Sequence, residues 1–302
     1  MKSNPLFSVL IANYNNGKYL EDALHSVFAQ TYTNWEIILV DDASTDNSKE
    51  IYQKYVNDQR IHIYYNDKNY GCGYTKHRCV ELANGEICGF LDPDDALVET
   101  ALEELAKVLI PAQPEVSFVY SDMYMVDSKM QIQKCNSYQK EITQGNSYLL
   151  SQPGSISHFE AFTKKAYNKT IGIDPTLKQA VDTDLYLKLE EVGKFIFVKK
   201  KLYYYRTNTG NNISANYAKS FSWNFIVMYE ACKRRNVDYI SVLVPFYNFY
   251  LNMNINNQLK NEVANIQKEL WSTYDSFSFK LGKFLTAPFR WIQLMVKKTH
   301  KL

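Results

Sequence analysis

Asp92-Pro93-Asp94-Asp95 places three carboxylates directly after the apolar run Ile87-Cys88-Gly89-Phe90-Leu91. Such charges repel one another and must be solvated, paired or bound to a cation. Hard divalent cations such as Mg2+ or Mn2+ take oxygen ligands of this kind and keep positions open for substrate phosphates. Pro93 removes a backbone donor and fixes the turn. A second acidic pair, Asp41-Asp42, ends another apolar run, Trp35 to Val40. Helix capping accounts for one Asp per loop but not for two or three together. A third motif, Asp182-Thr183-Asp184-Leu185, opens a segment of helical spacing. Either Asp there suits a helix start. A general base, however, must stand apart from the metal-type cluster, and Asp182 is the better placed of the two.

Two further residues bear on the same chemistry. Arg206 follows Tyr203-Tyr204-Tyr205; it is either an exposed edge-strand cation or a group that neutralises a departing diphosphate. His158 is either a group lining the site or an incidental histidine.

The elements that must position these residues can be read from hydrophobic period. Phe7 to Ala12, Trp35 to Val40, Arg60 to Tyr65 and Glu86 to Leu91 read as strands. Between them, Tyr19 to Gln30 and Tyr74 to Ala83 read as helices. A third helix follows Asp46-Asn47, with Asn47 and Glu50 in the spacing of a capping box. This alternation predicts a parallel sheet of βαβ units. In such sheets ligands bind outside the carboxyl ends of the strands, where the acidic motifs fall. Farther on, Val116 to Ser121, Ile156 to Thr163, Phe195 to Val198 and Leu202 to Arg206 read as strands, and Asp182 to Val192 as a helix. Asn136 to Pro153 reads as loop. Beyond about residue 215 the texture becomes long helical patterns, which sets an expected boundary at 214.

Composition narrows the field. The 302 residues suffice for one large domain with an appendage, or for two domains. A net charge of +2 argues against a general nucleic-acid binder. The 24 tyrosines are compatible with stacking surfaces for sugars or bases, and equally with ordinary packing. The five scattered cysteines read as reduced thiols of a cytosolic compartment. The N-terminus lacks a signal-peptide apolar region, and no run is long enough to span a bilayer. Phe279 to Leu302 is basic and amphipathic, with Lys280, Lys283, Arg290, Lys297, Lys298 and Lys301 among apolar residues. It suits either an anionic membrane surface or a helix packed on the domain with a basic outer face. No GxxxxGK[ST] phosphate loop occurs, and Gly71-Cys72-Gly73 lacks the third glycine of a dinucleotide fingerprint.

In order and spacing, several motifs resemble the family 2 glycosyltransferases. These are Phe7 to Asn15, Gln30 to Asp46, Asn69-Tyr70-Gly71, Ala83-Asn84-Gly85-Glu86, Leu91 to Asp95, and Asp182 to Leu185. The resemblance spans roughly residues 5 to 214. It implies a GT-A fold, a Rossmann-like, mostly parallel α/β sheet flanked by helices, here with a helical C-terminal extension over 215–302.

By resemblance the donor is a nucleotide-sugar, with UDP expected. Ala12, Tyr14 and Asp42 would hold its base and ribose, within a nucleotide-binding set that includes Asn13, Asp41, Lys76 and Asp94. Asp94 and Asp95 look like the ligands of Mn2+ or Mg2+ bridging the diphosphate. Asp182 looks like the base that deprotonates an acceptor hydroxyl, giving inversion at the anomeric carbon. Asp92, His158, Asp184 and Arg206 are candidates for further contacts to substrate or diphosphate. The acceptor would be a glycan or a lipid-linked glycan of cell-surface polysaccharide or lipopolysaccharide synthesis, made at the cytosolic membrane face. Two departures stand out: Val181 occupies a position where many members carry Glu, and Thr75-Lys76-His77 replaces Ala-Arg-Asn. They are the support for the alternative, a non-catalytic nucleotide-sugar-binding or scaffold protein.

Overall fold

Phe7, Val9 and Ile11 of the first strand enter one apolar core, while Leu10 between them enters another. This period of two, with both faces buried, is what a central strand covered by helices requires. The computed structural model describes residues 4–133, 139, 141–142, 147–151, 155–156, 158–207 and 217–275.

The first half alternates as the sequence predicts: β1 (Phe7–Asn13), α1 (Gly17–Phe28), β2 (Trp35–Asp41), α2 (Ser48–Gln53), β3 (Ile61–Tyr65), α3 (Cys72–Leu82) and β4 (Ile87–Phe90). Then come β5 (Ala96–Leu97), α4 (Ala101–Leu109), β6 (Val116–Val126), β7 (Glu160–Thr163), α5 (Lys164–Tyr167), α6 (Val181–Glu190) and β8 (Lys194–Arg206). The eight strands form one sheet in the order β3-β2-β1-β4-β7-β6-β8-β5. Strands β3, β2, β1 and β4 are parallel neighbours, and β7 runs antiparallel between β4 and β6. The mostly parallel sheet of βαβ units that the sequence predicts is the fold observed. Chain order reverses at β1, between β2 and β4, so a crevice opens at their carboxyl ends.

The opposite end of these strands is closed by a buried clamp. Glu36 accepts hydrogen bonds from Ser8 Oγ at 2.5 Å, Asn84 N at 2.7 Å and Asn84 Nδ2 at 3.0 Å. A Cβ on Gly85 would lie 2.5 Å from Ser8 Oγ and 2.6 Å from the Leu6 carbonyl. The Asn84-Gly85 motif is therefore structural, remote from the carboxyl ends.

Four local expectations differ, the first being the strand expected over Ile156 to Thr163, which among the described residues forms only over Glu160–Thr163. β8 is one strand of 13 residues where the sequence reads as two, because pairing with β6 carries it through its three consecutive lysines. β6 continues through Asp122 to Val126, with register shifts on either side of Asp122. The capping box at Asn47 does not form: Asp46 instead accepts from Ser48 N at 3.0 Å and Gly17 N at 2.8 Å.

The compact unit formed by the sheet extends to Phe246, beyond the boundary expected at 214. Helix α7 (Tyr217–Arg235) places Val227, Met228, Ala231 and Cys232 in the same core as α6. Arg235 binds Glu190 at 2.7 Å and the Leu187 carbonyl at 2.5 Å. Helix α8 spans Tyr239–Asp275, and the second unit begins at Tyr247. Among the described residues, no helix is long and apolar enough to cross a membrane. The expected basic stretch 279–302 lies outside the described residues.

Candidate active site

The carboxyl ends of β1, β2 and β4 bring Asn13, Asp41, Asp42 and Asp92 to one edge of the sheet. Neighbouring carboxylates in this crevice have different surroundings. Asp41 is fully buried and accepts from Tyr52 Oη at 2.5 Å and Ser44 N at 2.8 Å. Asn13, also buried, donates to Tyr52 Oη at 2.7 Å and Ser48 Oγ at 3.0 Å. Burial and the Asp41 carboxylate push the Tyr52 hydroxyl far above its usual pKa. Both Asn13 and Asp41 thus sit in a polar brace beneath the loop.

Asp42 shapes the next loop. Its Oδ1 accepts from Asn66 Nδ2 at 2.7 Å and Tyr70 N at 2.9 Å, and its Oδ2 from Gly71 N at 2.7 Å. Gly71 at φ 96° suits this turn, because side-chain-bearing residues rarely adopt that backbone. Tyr14 is 45% exposed just beyond β1, with Ala12 half-buried beside it.

The centre of the site is a closed ring of alternating charge. Lys76 Nζ of α3 lies 2.6 Å from Asp182 Oδ1 and 3.3 Å from Asp92 Oδ1. His158 Nε2 lies 3.2 Å from Asp92 Oδ2 and 3.8 Å from Asp182 Oδ2. Behind it, His158 Nδ1 is 2.8 Å from Glu160 Oε2 on β7. Lys76 and His158 are buried, whereas the side chain of Asp182 is 38% exposed. Burial alone would lower the pKa of His158, but Glu160 and Asp92 outweigh it and hold the imidazole well above its usual range. Burial likewise opposes the charge on Lys76, and Asp182 and Asp92 overcome it. Burial works against the Asp92 carboxylate too, yet Lys76 and His158 hold it far below the usual range.

Asp182 stands in the first turn of α6, where unpaired backbone N–H groups favour a carboxylate. Asp184, two residues on in the same helix, faces elsewhere. Its Oδ2 accepts from Lys188 Nζ at 2.7 Å and Asp174 N at 3.0 Å, and Lys188 also reaches the Gly172 carbonyl at 2.7 Å. Asp184 is therefore a buried fastener for the segment before α6.

Asp95, 2% exposed, accepts from the backbone N–H of Arg206 at 2.7 Å. Tyr203 Oη accepts from Asp92 N at 3.2 Å, tying β8 to the same turn. The guanidinium of Arg206 does not turn to the carboxylates: Nη2 binds Asp22 of α1 at 2.7 Å, over the Tyr19 ring at 4.2 Å. Its Nε and Nη1 are buried without a hydrogen bond among the described residues.

Among the described residues, no three His, Cys, Asp or Glu side chains group into a metal site. A cation here would need substrate oxygens besides Asp94 and Asp95, a common arrangement for Mg2+. The donor set fits such sharing. Burial, then Asp94 and Asp92, push the Asp95 carboxyl well above the usual range, and an added positive charge would relieve that repulsion.

Sequence reading passed over Glu160, Tyr203 and Asn66. Glu160 carried one legible sign, an acidic residue inside the apolar segment Phe159 to Phe162. Tyr203 is masked by its tyrosine neighbours, and nothing singled out Asn66.

Residues 8–171 match the family model described as Glycosyl transferase family 2. The chondroitin synthase of Escherichia coli is 35% identical over 219 residues, which cover 71% of this chain and 30% of that protein. This chain thus spans under a third of that relative's length. Among solved structures, S. aureus TarS 1-349 in complex with UDP-GlcNAc aligns with TM-score 0.66 and 22% identity, over 82% of this chain and 72% of that one. Mannosyltransferase PcManGT from Pyrobaculum calidifontis, in complex with GDP-Man and Mn2+, aligns with TM-score 0.59 and 17% identity, over 97% and 84%. These two bear on the fold, and the sequence match bears on descent: the chain belongs to glycosyl transferase family 2.

Proposed function

We infer that the chain transfers a sugar from a nucleotide-sugar, with UDP as the expected nucleotide, to a hydroxyl of a glycan or lipid-linked acceptor, with inversion. One observation carries this reading. Asp182 is a partly exposed carboxylate anchored through Oδ1 by Lys76, on the edge that also holds Asp94 and Asp95.

In this reading Ala12, Tyr14 and Asp42 border the base and ribose, and Lys76 contributes positive charge toward the diphosphate. Asp182 takes the proton of the acceptor hydroxyl as its oxygen bonds to the anomeric carbon. The bond from that carbon to the phosphate oxygen breaks, and the diphosphate leaves with the electron pair. Asp94 and Asp95 are the residues that would hold Mn2+ or Mg2+. When bound, such an ion offsets the negative charge that builds on the leaving group. Arg206 acts through its backbone N–H on Asp95 and through the support of α1, not as a free cation over the diphosphate.

Support for UDP comes from TarS, whose structure holds UDP-GlcNAc, and support for the metal from PcManGT, whose structure holds Mn2+. The chondroitin synthase relative supports a role in polysaccharide assembly. The basic stretch 279–302 supports work beside an anionic membrane. The test is calorimetric binding of UDP with Mn2+ and with chelator. Metal-dependent binding to UDP is expected. Absence of binding to UDP, GDP and dTDP alike overturns the donor site.

A further inference from the structure

Glu160 lies fully buried beside the site, at 0% exposure, and the transfer reaction as described does not use it. Its Oε2 is 2.8 Å from His158 Nδ1, and its Oε1 has no hydrogen bond among the described residues. A buried carboxylate with a single partner is costly, so the pairing with His158 must offset its desolvation. Four groups face the imidazole, and a fifth stands behind two of them. Glu160 of β7 holds Nδ1; Asp92 after β4 and Asp182 of α6 face Nε2. The Tyr203 ring of β8 lies 5.5 Å away, and Lys76 of α3 reaches the imidazole only through the two aspartates.

With carboxylates at both nitrogens, the imidazole must donate from both. It therefore behaves as a fixed cation, unable to accept a proton itself. Asp182 is then held from two sides, Oδ1 by Lys76 and Oδ2 facing His158 across 3.8 Å. That longer gap lets Oδ2 serve an incoming hydroxyl, since among the described residues it accepts no hydrogen bond.

We propose that Glu160 and His158 are a positioning pair for the base: Glu160 fixes His158 so that Nε2 faces Asp92 and Asp182, leaving Asp182 Oδ2 to take the acceptor proton. This rests on Asp182 being the base. Removing the cation from beside Asp182 favours the protonated carboxyl, so activity at low pH should suffer first.

The test compares wild type with Glu160→Gln, His158→Gln, Glu160→Asp and Asp182→Asn. It measures UDP release from UDP-glucose, UDP-GlcNAc and UDP-glucuronate, UDP affinity with Mn2+, and the nitrogen spectrum of 15N-histidine-labelled protein. Both Gln variants should lose about 100-fold in kcat, the scale of a misplaced reacting group. Their UDP affinity should stay within about twofold, because the pair acts through Asp182. The acidic limb of their kcat profile should move to higher pH, and Glu160→Asp should recover part of the rate. In the spectrum, both His158 nitrogens should carry protons through neutral pH in wild type but not in Glu160→Gln. Wild-type rates and pH limbs in folded Gln variants, with Asp182→Asn inactive, would overturn the pair. Equal UDP release by wild type and Asp182→Asn would instead overturn the base, and the histidine spectrum would still decide whether Glu160 holds His158 as a cation.

Discussion

Lys76 Nζ and Asp182 Oδ1 lie 2.6 Å apart although 106 residues separate them in the chain. In the proposed function the contact joins α3, on the nucleotide side, to α6, which carries the base. A cation that serves the leaving group and also orients the base couples two halves of one displacement. Lys76→Met should therefore lower kcat by about 100-fold and weaken UDP binding as well. Lys76→Arg should retain binding but recover the rate incompletely, because a planar fork cannot reproduce the position of Nζ between Asp92 and Asp182. Initial rates and calorimetry on the two variants check this.

His158 gives the fold a pH dependence with a definite sign. Its folded pKa lies above the unfolded value of 6.5. Its charge therefore contributes stability in full below about pH 6.5, and the contribution is lost as pH rises through the folded pKa. The gap in melting temperature between wild type and His158→Gln should be widest in acid and narrow in alkali. Thermal melts from pH 6 to pH 10 measure it.

Asp182 and Asp184 should separate by kind of damage. Asp184 and Lys188 form a pair whose side chains are 6% and 2% exposed. Asp184→Asn leaves a buried ammonium without its counter-charge and should cost about 3–5 kcal/mol in chemical denaturation. Asp182→Asn removes one of the two counter-charges of buried Lys76 but leaves Asp92 at 3.3 Å, so it should cost clearly less than Asp184→Asn.

Tyr52 tests the brace below the nucleotide loop. Tyr52→Phe removes the donor 2.5 Å from the buried Asp41 carboxylate. The loss should be about 1–3 kcal/mol of stability, the cost of stranding a buried acceptor. Denaturant unfolding checks it.

The sequence disclosed the βαβ half because period and turn chemistry there act locally, as from Phe7 through Leu91. It also disclosed which loops carry carboxylates. It did not disclose how each is used. Asp41 and Asp42 are adjacent, yet successive side chains leave a strand end on opposite sides, one into the brace and one into the Asn66–Gly71 loop. Arg206 reads as a free cation until α1 supplies Asp22, 184 residues earlier in the chain. Glu160 gains its meaning only when β7 inserts antiparallel between β4 and β6, a pairing no local pattern specifies.

The division of labour between Asp182 and Asp95 is the centre of the account. The most direct measurement is UDP affinity with Mn2+ alongside sugar transfer, for Asp182→Asn and Asp95→Ala. Asp182→Asn should abolish transfer while UDP binding stays nearly intact, and Asp95→Ala should weaken the metal-dependent binding itself. Equal loss of binding in both variants, or transfer that survives Asp182→Asn, would contradict it.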